Sequence, residues 1–558
     1  MIPLERQRRL SMTSSAMLMM FALICSKLLG QLREILLLYR VGQGTPVSDG
    51  FILGFQIPDL LYELLIGGAI QAAITPTLAG AIEKRAQRSG WRAVSIFLNV
   101  AALTMLVLIL VGQVAAPILI PALYSSRSPE TVAVAISVSR TLFPQVLFMM
   151  LAALCIGILN AYRRFERTAF GPVVYNAGVV VSMLLLGDKT AGGAVRVAAG
   201  IMLSACVFFL LQFYLARDVF HRFYRFSFDV RDPGFRRLLR LALPTMLAAS
   251  IVQVNVIVLS AYINRSFTAD GLVTALRNAS TLWQLPYGIL AVSIGNVLLP
   301  NLSGMASANS PQRFRRLFDN GLRNAMFLIV PTAFLMLAMR RDFVRAVFSW
   351  GSTYPESLLS NTSSILIFYC FSILVQTLVF LFGIACFAAG NTKIPLYGGA
   401  VSLFGNFLFS LILTSIPGVG PWAMSLAFLL SGLSSAVLII YLFRKRFPGF
   451  SPRSVGRRFP LQMVLCGVAS VLTVTALGIL YDGEGNKGLE LIWLAFRALA
   501  GIAVFYLAAH SLRVPEAALY AERVGSLVRR VVHKARPDTD GEGGAQPPDE
   551  SDDNHDGH

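Results

Sequence analysis

The chain has 558 residues, 55% of them hydrophobic and only 14% charged, with a mean hydropathy of +0.65. Soluble globular chains carry about 25% charged residues, so this composition excludes a water-dissolved fold and makes lipid the solvent. The net charge of +19 would suggest nucleic acid in a soluble protein. Here the basic residues sit in short loops between apolar runs, which is the positive-inside pattern of a membrane protein.

Residues 1–10 are polar and basic (Arg6, Arg8, Arg9), and the apolar run after them stays long enough to span, unlike a cleavable signal. A spanning helix needs about 20 mostly apolar residues. That rule predicts helices over 13–40, 50–82, 93–122, 132–160, 168–187, 193–216, 237–263, 271–303, 317–339, 358–389, 394–415, 420–443, 459–481 and 489–512. The fold class is therefore an all-α polytopic membrane protein of about 14 transmembrane helices. A short interfacial helix is predicted from Asp342 to Trp350. Beyond the last span, Arg513 to Arg536 is basic and suits either anionic lipid or a partner protein, and 537–558 reads as a disordered acidic tail. Six cysteines (Cys25, Cys155, Cys206, Cys370, Cys386, Cys466) fall inside apolar segments without CxxC spacing and read as small packing residues.

Basic clusters mark every second connection: the N-terminus, Lys84 to Arg92, Arg163 to Arg167, Arg217 to Arg240, Arg313 to Arg316, Lys393, Arg444 to Arg458, and Arg513 onward. The alternate loops, 42–49, 123–131, 187–192, 264–270, 416–419 and 482–488, are nearly neutral. This register needs an even helix count with both termini cytoplasmic. Arg340, Arg341 and Arg345 are its exception, on the outer side.

The chain repeats itself. Gln56-Ile57-Pro58 returns as Gln284-Leu285-Pro286, and Ile74-Thr75-Pro76-Thr77-Leu78-Ala79-Gly80 as Leu298-Leu299-Pro300-Asn301-Leu302-Ser303-Gly304. The second and eighth helices are thus equivalent, and two parallel six-helix repeats form a transporter architecture with two extra C-terminal helices. The expected units are 1–230, 231–450, the extra pair at 451–515, and a basic then acidic cytoplasmic tail at 516–558.

Charges inside spans are costly and by default mark a functional pathway. The first helix carries Lys27, Arg33 and Glu34; the second carries Gln56, Asp59 and Glu63 on one face; the eighth carries Arg277, Thr281, Gln284 and Gly288 on one face. These residues either pair off to hold helices together, as Lys27 with Glu63 or Arg33 with Asp59 would, or line a water-filled cavity. Buried ion pairs are weak sources of stability, which favours the cavity. Prolines 58, 76, 172, 244, 286, 300 and 395 lie in or at the start of spans and kink them. No Walker loop, HExxH or GxSxG is present, so no enzyme, cofactor or metal is expected, and a P-loop ATPase drive within the chain is excluded.

Several stretches resemble the MurJ/MviN lipid II flippase family of the MOP exporter superfamily. They are Ser26 to Glu34, Gly42-Gln43-Gly44 with Asp49, Ile57-Pro58-Asp59-Leu60-Leu61, Gly157 to Tyr162 with Arg164-Phe165 and Ala169-Phe170, and Leu285-Pro286-Tyr287-Gly288 through Ser303. The resemblance implies a multi-pass protein of the bacterial cytoplasmic membrane that moves lipid-linked peptidoglycan precursor from the inner to the outer leaflet. It implies a cationic cavity for the pyrophosphate, and a groove on the last two helices for the isoprenoid tail.

By position, Arg33 matches a family arginine, Lys27 stands where arginine is usual, and Asp49 matches an aspartate near the outer end of the cavity. Departures fall at Tyr62, Gly67, Thr281 and Gln284, where the family carries arginine, glutamate, arginine and glutamate. Arg277, one turn before Thr281, is the expected substitute. Lys27, Arg33, Asp49, Arg277 and Gln284 are the candidate substrate-binding residues; Glu34, Asp59 and Glu63 are the cavity or coupling acids. Two other functions stay open: a MOP transporter of another cargo (a polysaccharide-repeat flippase or cation-coupled exporter), and a non-transporting scaffold of the cell-wall synthesis or division machinery. Expected partners are the lipid-linked oligosaccharide and membrane lipids, with no nucleic acid.

Overall fold

The computed structural model describes residues 12–42, 44–66, 74–125, 127–162, 164–240, 271–307, 310–349, 354–391, 393–446, 458–480 and 487–518, with isolated residues between 242 and 267. Most of the predicted seventh helix (237–263), the basic N-terminus, and the basic and acidic segments past 518 lie outside the described residues, as do the side chains of Lys27 and Glu63.

All described elements are helical. They are α1 (Met12–Val41), α2 (Pro46–Ile66), α3 (Thr75–Glu83), α4 (Gln87–Leu123), α5 (Pro129–Ala161), α6 (Phe165–Thr168), α7 (Gly171–Leu186), α8 (Ala191–Phe223) and α9 (233–240). Then follow α10 (Leu272–Pro286), α11 (Ser293–Ser307), α12 (Pro311–Ala338), α13 (Arg340–Phe348), α14 (Glu356–Ala388), α15 (Lys393–Thr414), α16 (Ala423–Arg446), α17 (Arg458–Ile479) and α18 (Lys487–Ser511). Among the described residues, eleven helical runs from α4 onward are long and apolar enough to cross a membrane. With α1 and α2 in the first two predicted positions, every expected span except the seventh meets a described helix within a few residues. The short interfacial helix is α13, beginning at Arg340, two residues before its predicted start.

Two groups of helices form. In the first, α5 is the hub, packed by α2, α4 and α8, with α7 between α8 and α1. Gly50 and Gly54 let α2 lie directly on α5: a Cβ there would stand 2.7 Å from the Thr131 carbonyl and 2.6 Å from that of Ala135. In the second, α14 is the hub for α10, α12 and α16. α17 and α18 pair with each other and lie on α12, where Phe327 meets the rings of Phe505 and Tyr506 edge-on. A bidentate pair between Arg323 and Glu516, with Nη2–Oε2 at 2.9 Å, fixes the chain leaving α18 onto α12.

Proline shapes the repeated helix. Pro286 has no N–H to donate, so the Leu282 carbonyl loses its α-helical partner, and directly after the proline Tyr287–Val292 is wound as a π-helix before α11 resumes. Such π segments cluster at functional sites, and this one adjoins the helix that carries Arg277. The six cysteines are free and four are buried, as packing residues should be.

Candidate functional site

A cavity of about 170 Å³ lies where α1, α2, α5, α7 and α10 converge. Its wall is Arg33, Phe55, Pro58, Asp59, Tyr62, Gln145, Val146, Met149, Tyr175 and Arg277. The amphipathic pattern of α1 and α2 puts Arg33 and Asp59 on inward faces. Pro58 lies inside α2 beside them and leaves the Gly54 carbonyl without its helical donor. Gln145 donates to the Tyr175 hydroxyl at 3.1 Å, so the α5 and α7 walls are joined by polar groups.

The charges around this cavity are organised by one carboxylate. Glu34 accepts from Arg33 Nη2 at 2.7 Å. It also accepts from Arg277, Nε to Oε2 and Nη2 to Oε1, both at 3.2 Å. Arg277 stands on α10 and Glu34 on α1, so a forked, charge-assisted bond ties the two helix groups together across 243 positions of sequence. Both arginines stay half-buried, with side-chain exposures of 29% and 31%, whereas Glu34 is at 12%. The carboxylate is thus largely covered by its partners while each guanidinium keeps a face toward the cavity.

A second junction closes the end of the bundle that carries Gly44, Arg127 and Gly271. Asp49, in the first turn of α2, is fully buried and accepts from Gly271 N at 2.9 Å, Thr274 N at 3.1 Å and Thr274 Oγ1 at 2.7 Å. Gly271 is the residue before α10, so a carboxylate of one helix group supplies the N-terminal cap of a helix in the other. Free N–H groups and the positive end of the helix dipole make that position favourable for an anion. Arg127 Nη1 lies 3.6 Å from Asp49 Oδ2, both side chains wholly buried. Gly271 (φ +83°) and Gly44 (φ +65°) meet backbone to backbone: a Cβ on Gly271 would fall 2.8 Å from Gly44 Cα.

The structure sorts the predicted residues. Arg33, Arg277 and Asp59 line the cavity, and Glu34 stands behind it bridging both arginines. Asp49 is not on the cavity wall; its oxygens are taken up in the capped junction. Gln284 is exposed, is not on the cavity wall, and donates to Ser280 Oγ at 2.8 Å. Lys27 is on α1, but its side chain, like that of Glu63, lies outside the described residues. The carboxylate that Arg33 meets at 2.7 Å is its neighbour Glu34; a pair of Arg33 with Asp59 was one example of the pairing alternative to a cavity. Gln145, Tyr175 and Arg127 were not singled out from sequence. Gln145 and Tyr175 are polar groups in apolar spans, and Arg127 is the single basic residue in a loop read as nearly neutral, which was the available signal.

The helix arrangement is the fold of the MOP superfamily. The chain overlays an inward-facing multidrug resistance MATE family transporter of that superfamily with a TM-score of 0.58, at 14% identity over 80% of this chain and 97% of that one. It overlays a lipid II flippase MurJ in an inward closed conformation with a TM-score of 0.73, at 21% identity over 88% of this chain and 98% of that one. The chain belongs to the lipid II flippase MurJ family, whose model matches residues 41–494. It is similar to the probable lipid II flippase MurJ of Rhizobium meliloti, 26% identical over 430 residues, which is 75% of this chain and 78% of that protein.

Proposed function

We propose that the chain is a flippase that carries lipid II from the cytoplasmic to the outer leaflet by alternating access. One observation carries this reading: Arg33 and Arg277, from the two helix groups, converge on a single carboxylate beside a central cavity. A pyrophosphate entering there can take the place of Glu34 as the shared partner of both guanidiniums. The planar forks then exchange one anion for another, with no bare charge left in low dielectric. The exchange releases the α1–α10 tie at the moment the cargo is held.

Ligand pockets for drug-sized molecules run to roughly 300–1,000 Å³, and a disaccharide-peptide head exceeds them. The present cavity is a closed conformation of the site, and transport requires the helix groups to part. A scaffold without transport needs no cavity and no charge-coupled junction, so the geometry argues for the transporter. The basic ends of α8 and α16, and the basic stretch before α4, support cytoplasmic termini. The Gly44 end is then the outer end, and residues 1–230 and 231–450 are the rocking halves.

Complementation tests this. In a bacterium whose own lipid II flippase can be switched off, the chain is expected to sustain growth, and Arg33→Ala and Arg277→Ala are each expected to abolish rescue while reaching the membrane. Full rescue by Arg277→Ala would remove it from the cargo site; no rescue by the unaltered, membrane-inserted chain would assign another cargo.

A further inference from the structure

Two prolines outside the recurring Gln-x-Pro motif create an unusual polar pair on the lipid-facing surface. Pro117 lies inside α4 and Pro144 inside α5. A helix proline deprives the carbonyl four residues earlier of its donor, which leaves the Gln113 carbonyl free on α4 and that of Arg140 free on α5. Each is taken by the other residue's side chain. Arg140 Nε donates to Gln113 O at 3.1 Å, and Gln113 Nε2 donates to Arg140 O at 2.7 Å. The crossed bonds satisfy both broken helices at the same level and hold the guanidinium in one orientation.

The capping bond uses only Nε. Arg140 is exposed, and neither terminal nitrogen meets an acceptor among the described residues. The face of α4 beside it is apolar, with Leu110, Val114 and Ile118 58%, 73% and 73% exposed, while on α5 it is flanked by Ser137 and Thr141, whose hydroxyls donate to the carbonyls of Ala133 and Ser137. On a helix long and apolar enough to cross a membrane, such an exposed apolar face meets lipid. Arg140 lies about 16 Å along α5 from Pro129. α5 has 33 residues and is about 50 Å long, against a hydrocarbon layer of about 30 Å. The Arg140 Cα thus sits a few ångströms inside the hydrocarbon edge, on the side of the 124–128 turn. Side chains on a helix lean toward its N-terminus, and the N-terminus of α5 is at that turn, so the guanidinium points to the headgroup layer of the same leaflet.

We propose that Arg140, oriented by Gln113, is a binding site for the phosphodiester of an anionic phospholipid in the leaflet on the side of the 124–128 turn, the outer leaflet in the topology given above. The terminal nitrogens form the bidentate fork that suits phosphate oxygens. The acyl chains run inward over the exposed face of α4 past Leu110. Proline, glutamine and arginine each have a part: the prolines free the carbonyls, the glutamine fixes the arginine, and the arginine presents two donors that lipid tails cannot satisfy. The site lies on α4 and α5, away from the Arg33–Arg277 cavity, and does not depend on the identity of the cargo.

Photocrosslinking reads the site directly. The full chain, with benzoylphenylalanine in place of Leu110, is placed in nanodiscs of a phosphate-free galactolipid containing a minor share of phosphatidylglycerol. The expected adduct is phosphatidylglycerol at several-fold above its bilayer share, falling to that share in Arg140→Gln, which keeps an amide donor near the Gln113 carbonyl. Arg196→Gln, at an exposed ion pair with Asp188, is expected to change nothing. Adducts that follow the bulk composition in the otherwise unaltered chain would overturn the proposal. So would enrichment that survives Arg140→Gln, which would leave Arg140 as a cap for the two carbonyls alone.

Discussion

Glu34 is the residue on which the central site turns, because it is the acid that two arginines share. Removing one partner of a largely buried pair leaves the other charge uncompensated, which is more costly than the pair is stabilising. Glu34→Gln sets two guanidiniums side by side without the carboxylate they share. A double-mutant cycle with Arg277→Gln, read from the melting of the purified protein, should give a coupling of about 1–3 kcal/mol. Additive effects would show that the Arg277–Glu34 contact does not hold the helix groups together. The same pair bears on the polarity of the cavity, whose candidate residues number three bases (Lys27, Arg33, Arg277) and four acids (Glu34, Asp49, Asp59, Glu63). The fold removes Asp49 to the far junction and covers Glu34 with its partners, which leaves Arg33, Arg277 and Asp59 as the charged groups on the wall among the described residues.

At the scale of elements, the junction between α2 and α10 does its work through backbone geometry. Asp49 caps α10 from another helix, and Gly44 and Gly271 allow the two chains to touch at left-handed φ. A left-handed conformation costs a non-glycine residue roughly 1–2 kcal/mol, and the Cβ would press on backbone that has no rotamer to yield. Gly271→Ala should therefore weaken this seal by at least that amount, about tenfold in the open population. In a chain freed of its native cysteines, Thr45→Cys should then react about tenfold faster with an impermeant maleimide added from outside. Unchanged labelling would mean that this end is held shut by contacts other than the glycine pair. The helices themselves were legible because span length and loop charge are local properties. The capping of one helix by a residue 222 positions away is not. Nor were Pro117 and Pro144 read as a pair, since nothing in the sequence says that α4 and α5 bring their freed carbonyls to one level.

For the whole molecule, alternating access requires that the Gly44 end separate during each cycle. Ser48 Oγ and Thr274 Oγ1 are 3.3 Å apart across the two helix groups, so Ser48→Cys with Thr274→Cys should form a disulfide that bars separation. In the complementation strain, oxidised cells are expected to stop growing and to resume on adding a reductant, while either single cysteine grows normally. Growth with the crosslink intact would show that this end stays closed throughout transport.

Composition alone determined that lipid is the solvent, because a chain with 14% charged residues leaves too few charged groups for a water-facing surface. Hydropathy and loop charge placed the spans, and the Gln-x-Pro repeat marked α2 and α10 as equivalent, since each of these signals is carried by neighbouring residues. Only the tertiary structure decided which charges meet. Side chains reach across helices whose register is set by packing, such as Gly50 and Gly54 seating α2 on α5. No periodicity along one strand of sequence records that Arg277 comes to rest on Glu34, or that Asp49 leaves the cavity to cap α10.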